Sequence, residues 1–330
     1  MSARSGILLV GGNGFLGLAL ARSLAAAGLE PYVLARTAEP GRRDGIAFHR
    51  GSQDSPEVVA PLLRVCGTLI HLASTTTPGL SAGRSSVDAI ENLLPAARLL
   101  EIMASDTPDR LVFLSSGGAV YGNPARLPAD ESQPPNPLSS HAAGKAALEA
   151  FFTSFAHCNK VPLTVVRPSN LYGPGQALRG GFGLVRTLLD KALRGGPIEV
   201  WGDGSSVRDY LFIDDAVDAC RRLIAQPDLS GIFNLGSGVG TSISALISLV
   251  STVTGRDIEV LTHPARDVDV RAIVLDTGRI GAATGWAAQT ALEPGLRRTW
   301  AWLRAAGNRQ NLADVAHFAR PCDTLGHSPR

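Results

Sequence analysis

Residues 7–17 of the chain read ILLVGGNGFLG, and this stretch decides the fold. Its four leading apolar residues predict a buried strand, and the apolar pattern that follows predicts an amphipathic helix up to Ala27. Glycines let the turn fold tightly and let a pyrophosphate approach, while the helix N-terminus offers free N–H groups. The alternative is a structural glycine turn that holds no ligand. We predict a dinucleotide-binding turn, formed by Gly11, Gly14, Phe15, Leu16 and Gly17.

The first half of the chain continues this alternation of short apolar runs and longer amphipathic stretches. Further strands are predicted near residues 31–35, 46–49, 68–72, 111–114 and 163–166, and helices near 86–104 and 141–157. Because these strands are apolar throughout, the sheet should be buried on both faces. The predicted fold class is α/β, a doubly wound parallel sheet (Rossmann).

Beyond Pro168 the sequence becomes dense in glycine and proline, and helices are predicted near residues 182–194, 214–225, 242–254 and 293–305. We expect this half to form a smaller α/β substrate-binding domain. The predicted division is an NAD(P)-binding domain over residues 1–167 plus about 209–234, a substrate-binding domain over 168–208 plus 235–306, and a tail over 307–330.

The composition of the 330 residues excludes several classes of protein. Apolar residues make up 45% and charged residues 18%, and a net charge of +2 without a dense basic run argues against nucleic acid as a partner. No apolar run reaches the roughly 18 residues of a membrane helix, so no membrane association is expected. Cysteines and histidines show no metal-ligand spacing, so no metal site is expected. Four widely separated cysteines favour a reduced compartment, the cytoplasm.

The end of the second predicted strand bears on the choice between NAD and NADP. An acidic residue there would bind the adenosine ribose 2′-hydroxyl, whereas an arginine suits a 2′-phosphate. This chain has no acid at the turn and carries Arg36 instead. The cofactor is predicted to be NAD or NADP, with NADP favoured. In the alternative, Arg36 is a solvated surface residue.

Other short motifs follow the glycine turn in order: HLA at 71–73, Asn92, SSGGAVYG at 115–122, RPSNLYGPG at 167–175, RDY at 208–210 and NLGSG at 234–238. Together they resemble the extended short-chain dehydrogenase/reductases, in the NAD-dependent epimerase/dehydratase family and its nucleotide-sugar epimerase branch. The resemblance covers roughly residues 6 to 303.

The resemblance implies roles for residues outside the glycine turn. Cofactor-binding roles fall on Leu72, Ala73, Ser74, Asn92, Ser115 and Lys145. Substrate-binding roles fall on Asn170, Arg208 and Arg266, which would hold the diphosphate of a nucleotide sugar, and on Trp201, which lies where relatives approach the base. Helices 86–104 and 141–157 pair relatives into dimers, so a homodimer is expected.

The catalytic motif of that family departs from its usual form here. The family uses a serine or threonine together with a tyrosine four residues before a lysine. This chain contains no Tyr-x-x-x-Lys, and residues 136–149 read NPLSSHAAGKAALE, which keeps Lys145 and places His141 at the tyrosine position. The family's hydroxyl position falls on Gly117, so Ser116 is the candidate hydroxyl.

An imidazole can replace a phenolate as a base. Its unperturbed pKa near 6.5 leaves much of it neutral at pH 7, and a neighbouring Lys145 would lower the pKa of His141 further. Dehydratases and decarboxylases of the family that this chain resembles carry an acidic residue beside the catalytic hydroxyl. No acid follows Ser116, so the resemblance argues against these two activities. We therefore predict an NAD(P)-dependent nucleotide-sugar epimerase that carries out hexose 4-epimerisation through a transient 4-keto sugar. The alternatives are an NADPH-dependent ketosugar reductase and a non-catalytic nucleotide-sugar binder.

Overall fold

A mostly parallel β-sheet lies at the centre of the molecule. The computed structural model describes residues 4–76, 85–178 and 183–318. The strands are β1 (Gly6–Val10), β2 (Glu30–Ala35), β3 (Gly41–Arg43), β4 (Ile46–Arg50), β5 (Cys66–His71), β6 (Arg110–Leu114), β7 (Leu163–Pro168), β8 (Asn170–Tyr172), β9 (Ile198–Trp201), β10 (Val207–Phe212), β11 (Gly231–Leu235), β12 (Gly240–Ser242) and β13 (Val260–His263).

The helices cover both faces of this sheet and build most of the second half. They are α1 (Phe15–Ala26), α2 (Pro56–Leu63), α3 (Ser85–Asp88), α4 (Leu94–Ser105), α5 (Gly117–Val120), α6 (Ser140–Asn159), α7 (Leu184–Arg194), α8 (Ile213–Ile224), α9 (Ile243–Thr254), α10 (Gly278–Thr284) and α11 (Leu292–Phe318). Within the described residues, no helix has the length and apolarity needed to cross a membrane.

The large sheet has the predicted doubly wound topology. Its order is β11-β7-β6-β5-β1-β2-β4-β3, and its neighbouring strands are parallel except for the antiparallel pair β3 and β4. The winding direction reverses between β1 and β5. In open α/β sheets, ligands bind outside the carboxyl ends of the strands at this reversal.

Burial on both faces explains why the strands are apolar throughout. Ile7 and Leu9 of β1 belong to one hydrophobic cluster, with residues of α1 and α8. Leu8 and Val10 belong to a second, with residues of α2, α4 and α6. Successive side chains of a strand point to opposite faces, so each helical layer receives half of the strand.

The second half of the chain forms two small sheets. One has the order β12-β10-β8 and the other pairs β13 with β9. Strand β11 instead joins the large sheet beside β7, from Gly231 opposite Thr164 to Leu235 opposite Pro168. The division of the chain into two domains stays a prediction.

Two predicted helices differ from the structure. The helix expected at residues 86–104 is interrupted by a π-helical turn, Ala89–Leu93, in which the N–H of Leu94 reaches back to the carbonyl of Ala89. Pro95, the second residue of α4, has no N–H to continue an α-helical ladder. The helix expected at 293–305 extends to Phe318, so its backbone continues into the predicted tail; residues 319–330 lie outside the described part of the chain.

Candidate active site

The glycine turn follows β1 and packs against the carboxyl end of the neighbouring strand β5. Gly11 has a positive φ of 79°, and a Cβ there would lie 2.6 Å from the Cα of Ala73, which follows β5. Glycine is therefore required both by conformation and by space. A Cβ on Gly17 would meet the Cα of Gly12 at 2.6 Å, so close packing of α1 on the turn also depends on glycine.

The N-terminus of α1 suits an anion. Gly14 occupies the N-cap position, no side chain caps the helix, and its first turn contains no acidic residue. The positive end of the helix dipole and the uncapped N–H groups, beginning at Phe15, thus face the same turn. The residues present fit the pyrophosphate of a dinucleotide.

The residues predicted to line the rest of a dinucleotide lie around this turn. Leu72 and Ala73 are half-buried, and Ser74 is exposed. Arg36 follows the end of β2 with 60% of its side chain exposed, and its Nη1 lies 3.4 Å from Oε2 of Glu91. Exposed ion pairs of this kind contribute little free energy, about 0–1 kcal/mol. Arg36 is therefore readily available to another anion.

Asn92 lies in the π-helical turn and is buried. Its Oδ1 accepts hydrogen bonds from the backbone N–H of Thr75 at 2.8 Å and from Oγ1 of Thr75 at 3.1 Å. Its Nδ2 donates to Oγ1 of Thr76 at 2.8 Å. Asn92 thus fixes the segment that follows β5.

His141 and Lys145 are one turn apart on α6, and both are buried. Ser139 caps the helix by accepting the N–H of Ala142 at 3.2 Å, so His141 lies in its first turn. Lys145 Nζ donates to the carbonyl oxygen of Leu114, the last residue of β6, at 2.9 Å. The pair is thereby attached to the carboxyl end of the sheet.

The surroundings shift the pKa of both groups downwards. Burial, helped by the charge of Lys145 and opposed by Asp88, lowers the pKa of His141 to about 4. Burial likewise lowers the pKa of Lys145 to about 8, against Asp88 and Glu149. The sequence predicted the effect of Lys145 on His141, but burial is the larger cause. At pH 7 the imidazole is neutral and able to accept a proton.

The end of β6 explains the altered hydroxyl position. A Cβ on Gly117 would lie 2.6 Å from Cδ1 of Leu275 and 2.7 Å from the carbonyl oxygen of Arg167, so no serine fits there without movement. Ser116, half-buried, is the N-cap residue of α5, and its side chain makes no capping bond. Ser115 is buried and its hydroxyl donates to Oε1 of Glu149.

A network of buried side chains that was not predicted from the sequence holds α6. Arg167 forms two hydrogen bonds to Glu149, at 2.9 and 2.6 Å, and donates to the hydroxyl of Tyr121 at 2.8 Å. Tyr121 in turn donates to Oδ1 of Asn234 at 2.7 Å. The signal in the sequence was Glu149, four residues after Lys145 and hence on the same helical face.

The predicted substrate-binding residues form two groups. Asn170 on β8 donates to the carbonyl oxygen of Asp209 at 3.2 Å, and Gly118 lies beside it, since a Cβ there would be 3.5 Å from its Nδ2. Farther along the chain, the guanidinium of Arg266 lies over the ring of Trp201 at 4.3 Å. The structure therefore brings Trp201 and Arg266 together.

Arg208 and Arg266 share an acidic neighbour. Arg266 makes two hydrogen bonds to Asp269, at 2.8 and 2.9 Å. Burial lowers the pKa of Arg208, with Tyr210 and Asp269 opposing this effect. His263 stacks on Trp201 with ring centroids 5.2 Å apart, a contact that no sequence pattern indicates.

Asp209, also unassigned from sequence, anchors the loop after β11. Its carboxylate accepts the N–H of Ser237 at 2.8 Å, of Gly238 at 3.2 Å and of Leu275 at 3.3 Å. A buried carboxylate with several N–H donors is a structural anion. In the described part of the chain, no three histidine, cysteine or acidic side chains are grouped to hold a metal ion.

Comparison with known proteins places the chain in a family. Residues 7–236 match the sequence profile of the NAD dependent epimerase/dehydratase family. The chain belongs to this family. The family relationship and the fit of the glycine turn make the cofactor a nicotinamide dinucleotide.

Relatives of this family match over most of the chain. A UDP-glucose 4-epimerase of Mycolicibacterium smegmatis is 35% identical over 236 residues, which cover 72% of this chain and 75% of that protein. The structure of a UDP-glucose 4-epimerase with UDP-glucose from Thermotoga maritima superposes with a TM-score of 0.84 at 30% identity, covering 91% of this chain and 99% of that one. A UDP-glucose 4-epimerase of Thermus thermophilus in complex with NAD gives the same TM-score at 31% identity and the same coverage.

Proposed function

We propose that this protein is a nicotinamide-dependent nucleotide-sugar epimerase that inverts a hexose at C4 through a transient 4-keto sugar. The observation that carries the proposal is the buried, neutral His141, held one helical turn before Lys145 at the carboxyl end of the sheet. The relatives named above act on UDP-glucose, which supports a nucleotide sugar as the substrate.

The cofactor would lie across the winding reversal of the sheet. Gly11, Gly14 and the first turn of α1 would hold its pyrophosphate, and Ala73 and Ser74 would lie beside it. When bound, the nicotinamide supplies a hydride acceptor and donor. Lys145 has donors beyond the one given to Leu114, and these would orient the nicotinamide ribose.

Nε2 of His141 would accept the proton of the C4 hydroxyl. It would return this proton after the keto sugar has rotated to present its other face. A neutral base is needed for the first step and an imidazolium for the second, and one imidazole serves both. Ser116 would donate to the same sugar oxygen. Arg208 and Arg266 would hold the diphosphate through guanidinium–phosphate hydrogen bonds, Trp201 would lie against the base, and Asn170 would contact the sugar nucleotide.

Arg36 supports a preference for NADP over NAD. It is exposed at the end of β2, where no acid is present to bind a ribose 2′-hydroxyl. Its weak pairing with Glu91 would give way to a 2′-phosphate, because hydrogen bonds to phosphate are charge-assisted.

A homodimer in the cytoplasm completes the proposal. Large apolar side chains stay exposed on the helices expected to pair: Ile90 at 60%, Leu94 at 45% and Phe151 at 46%. A second copy of the chain would cover them.

The experiment that tests the function uses a panel of UDP-, dTDP- and GDP-sugars, each incubated with purified protein and with NAD or NADP. Proton NMR then follows the sugar. The expected result is accumulation of the C4 epimer from at least one sugar, without net consumption of cofactor. Net oxidation of NADPH would show a reductase instead, and binding without conversion would show a binding protein.

A further inference from the structure

We infer that Asp88, acting through the hydroxyl of Thr76, fixes His141 in the tautomer that carries hydrogen on Nδ1 and leaves Nε2 free to accept a proton. Asp88 and Thr76 are then positioning residues for the proposed reaction, and the inference rests on that proposed function. The family's tyrosine has no tautomers, so this requirement arises only because a histidine stands at position 141.

The orientation of Asn92 determines the direction of the hydrogen bonds. A backbone N–H can only donate, and the N–H of Thr75 lies 2.8 Å from one end of the Asn92 amide. That end must be the oxygen. The amide nitrogen therefore faces Thr76 and donates to its Oγ1 at 2.8 Å and to Oδ1 of Asp88 at 3.0 Å.

The hydroxyl of Thr76 has a single proton, and this proton forms the hydrogen bond to Asp88. Oγ1 of Thr76 and Oδ1 of Asp88 are in direct hydrogen-bond contact, and both residues are buried. A carboxylate accepts and cannot donate, so the proton of this hydrogen bond belongs to Thr76. The Thr76 oxygen can then act only as an acceptor toward its other neighbours.

One of those neighbours is Nδ1 of His141, at 3.2 Å. Because Oγ1 of Thr76 is an acceptor there, Nδ1 must carry the hydrogen. In a neutral imidazole only one nitrogen does so, which leaves the lone pair on Nε2. Among the described residues, Nε2 has no hydrogen-bond partner. Asp88 itself lies 3.9 Å from Nδ1, too far for a direct hydrogen bond, so it acts through Thr76.

The backbone of the π-helical turn and of α6 leaves space for the Asp88 side chain. Asp88 and Asn92 are four residues apart across the start of the π-helical turn, and their side chains meet. A Cβ on Gly144 would collide with the carboxylate of Asp88, so that carboxylate lies directly against the backbone of α6. Glycine at 144, between His141 and Lys145, is what leaves room for Asp88.

The test is a long-range proton–nitrogen NMR spectrum of the full chain, labelled with 15N in its histidines, at pH 7 without substrate. The seven histidines are distinguished by comparison with His141→Ala, whose spectrum lacks one ring. We expect His141 as a single tautomer with hydrogen on Nδ1. Hydrogen on Nε2 in the wild type overturns the inference.

Two variants test whether Asp88 acts on His141 through the hydroxyl of Thr76. Asp88→Ala frees the Thr76 proton to point at Nδ1, and Thr76→Val removes the acceptor, so each should abolish the single tautomer. Thr76→Ser keeps the hydroxyl and should keep the wild-type spectrum. The other six histidine rings, including buried His71, report whether a variant is folded. An unchanged His141 spectrum in a folded Asp88→Ala or Thr76→Val protein overturns the inference that Asp88 acts through Thr76.

Activity gives an independent readout. Once the substrate is identified, Asp88→Ala should lower kcat by roughly a hundredfold, the lower range of what a general base contributes, and leave KM nearly unchanged. A lowered kcat with an unchanged tautomer would show a merely structural role and overturn the inference. The tautomer is measured without substrate, so a protein that shows it but converts no sugar contradicts the proposed function alone.

Discussion

At the scale of single residues, His141 is a base tuned by burial rather than by charge alone. Its pKa is lowered to about 4, from the usual 6.5. A base loses activity as the pH falls through its pKa, so a lowered pKa moves that loss to more acidic solution.

The pH profile of activity follows from this. We expect kcat/KM to stay level as the pH falls from 7 through 6.5, and to decline only as the pH approaches 4. The measurement is the initial rate at low nucleotide-sugar concentration, with circular dichroism at each pH to show that the protein is folded. A half-maximal rate near pH 6.5 would mean that the imidazole is solvated and would contradict the buried site.

Arg36 offers a second prediction at this scale, on the cofactor. Arg36→Ala should weaken NADP binding about tenfold to a hundredfold, because a hydrogen bond to a charged group is worth roughly 1.5–3 kcal/mol. Binding of NAD should change little. Titration calorimetry measures both dissociation constants.

Arg98→Ala is the matched control for this test. Arg98 is similarly exposed and also lies 3.4 Å from a carboxylate, that of Asp54. An equal loss of NAD and NADP affinity in Arg36→Ala would show that Arg36 does not read the 2′-phosphate.

At the scale of elements, the short helix α5 sets which hydroxyl is available at the end of β6. Restoring the family's serine as Gly117→Ser should destabilise the protein by about 1–3 kcal/mol, the usual cost of overpacking. The reason is the collision of a Cβ with Leu275 and the Arg167 carbonyl. Urea denaturation measures the change.

Gly118→Ser is the control, because a Cβ there meets its nearest atom, Nδ2 of Asn170, at an ordinary 3.5 Å. We expect its free energy of unfolding to stay close to the wild type. Equal stability of the two variants would contradict the packing described around Gly117.

Most elements of the large sheet were predictable because each depends on local sequence. The runs around β1 and β5 are apolar over a strand's length, and the turn at Gly11 is marked by its glycines. Local sequence patterns did not predict elements whose conformation depends on contacts with residues elsewhere in the chain. The π-helical turn depends on Pro95 and on hydrogen bonds to residues 75 and 76, and α2, with Pro61 inside it, carries no clear pattern.

At the scale of the whole molecule, a buried histidine links stability to pH. His71 lies against the rings of Phe113 and Phe152, and burial, together with the charge of Lys145, lowers its pKa to about 3. Unfolded, the same histidine has a pKa of about 6.5. Between these values the unfolded chain binds a proton that the folded chain does not, so the free energy of unfolding falls as the pH falls.

Replacing His71 should make the free energy of unfolding less dependent on pH. We expect His71→Phe, which keeps the ring packing, to lower the slope by about 1.2 kcal/mol per pH unit between pH 6 and 5. Urea unfolding at several pH values measures it, with exposed His157→Phe as the control. If both variants keep the wild-type slope, His71 is not buried in its neutral form.

The assembly of the site from distant segments limits what the sequence alone could predict. His141 and Lys145 were identified because they share one short motif. Thr76 and Asp88 touch His141 from 65 and 53 positions away in the chain, and no local pattern marks them. Their contact depends on the order of β1, β5 and β6 in the sheet and on the space left by Gly144.

The central claim is that His141 is the base of a sugar epimerase, and the most direct measurement compares two histidine variants on the same helix. Proton NMR would follow formation of the C4 epimer by wild type, His141→Ala and His157→Ala, with cofactor binding measured for each. We expect His157→Ala to match the wild type and His141→Ala to be slower by about a hundredfold or more, while still binding cofactor. Equal rates for the two variants would contradict the account.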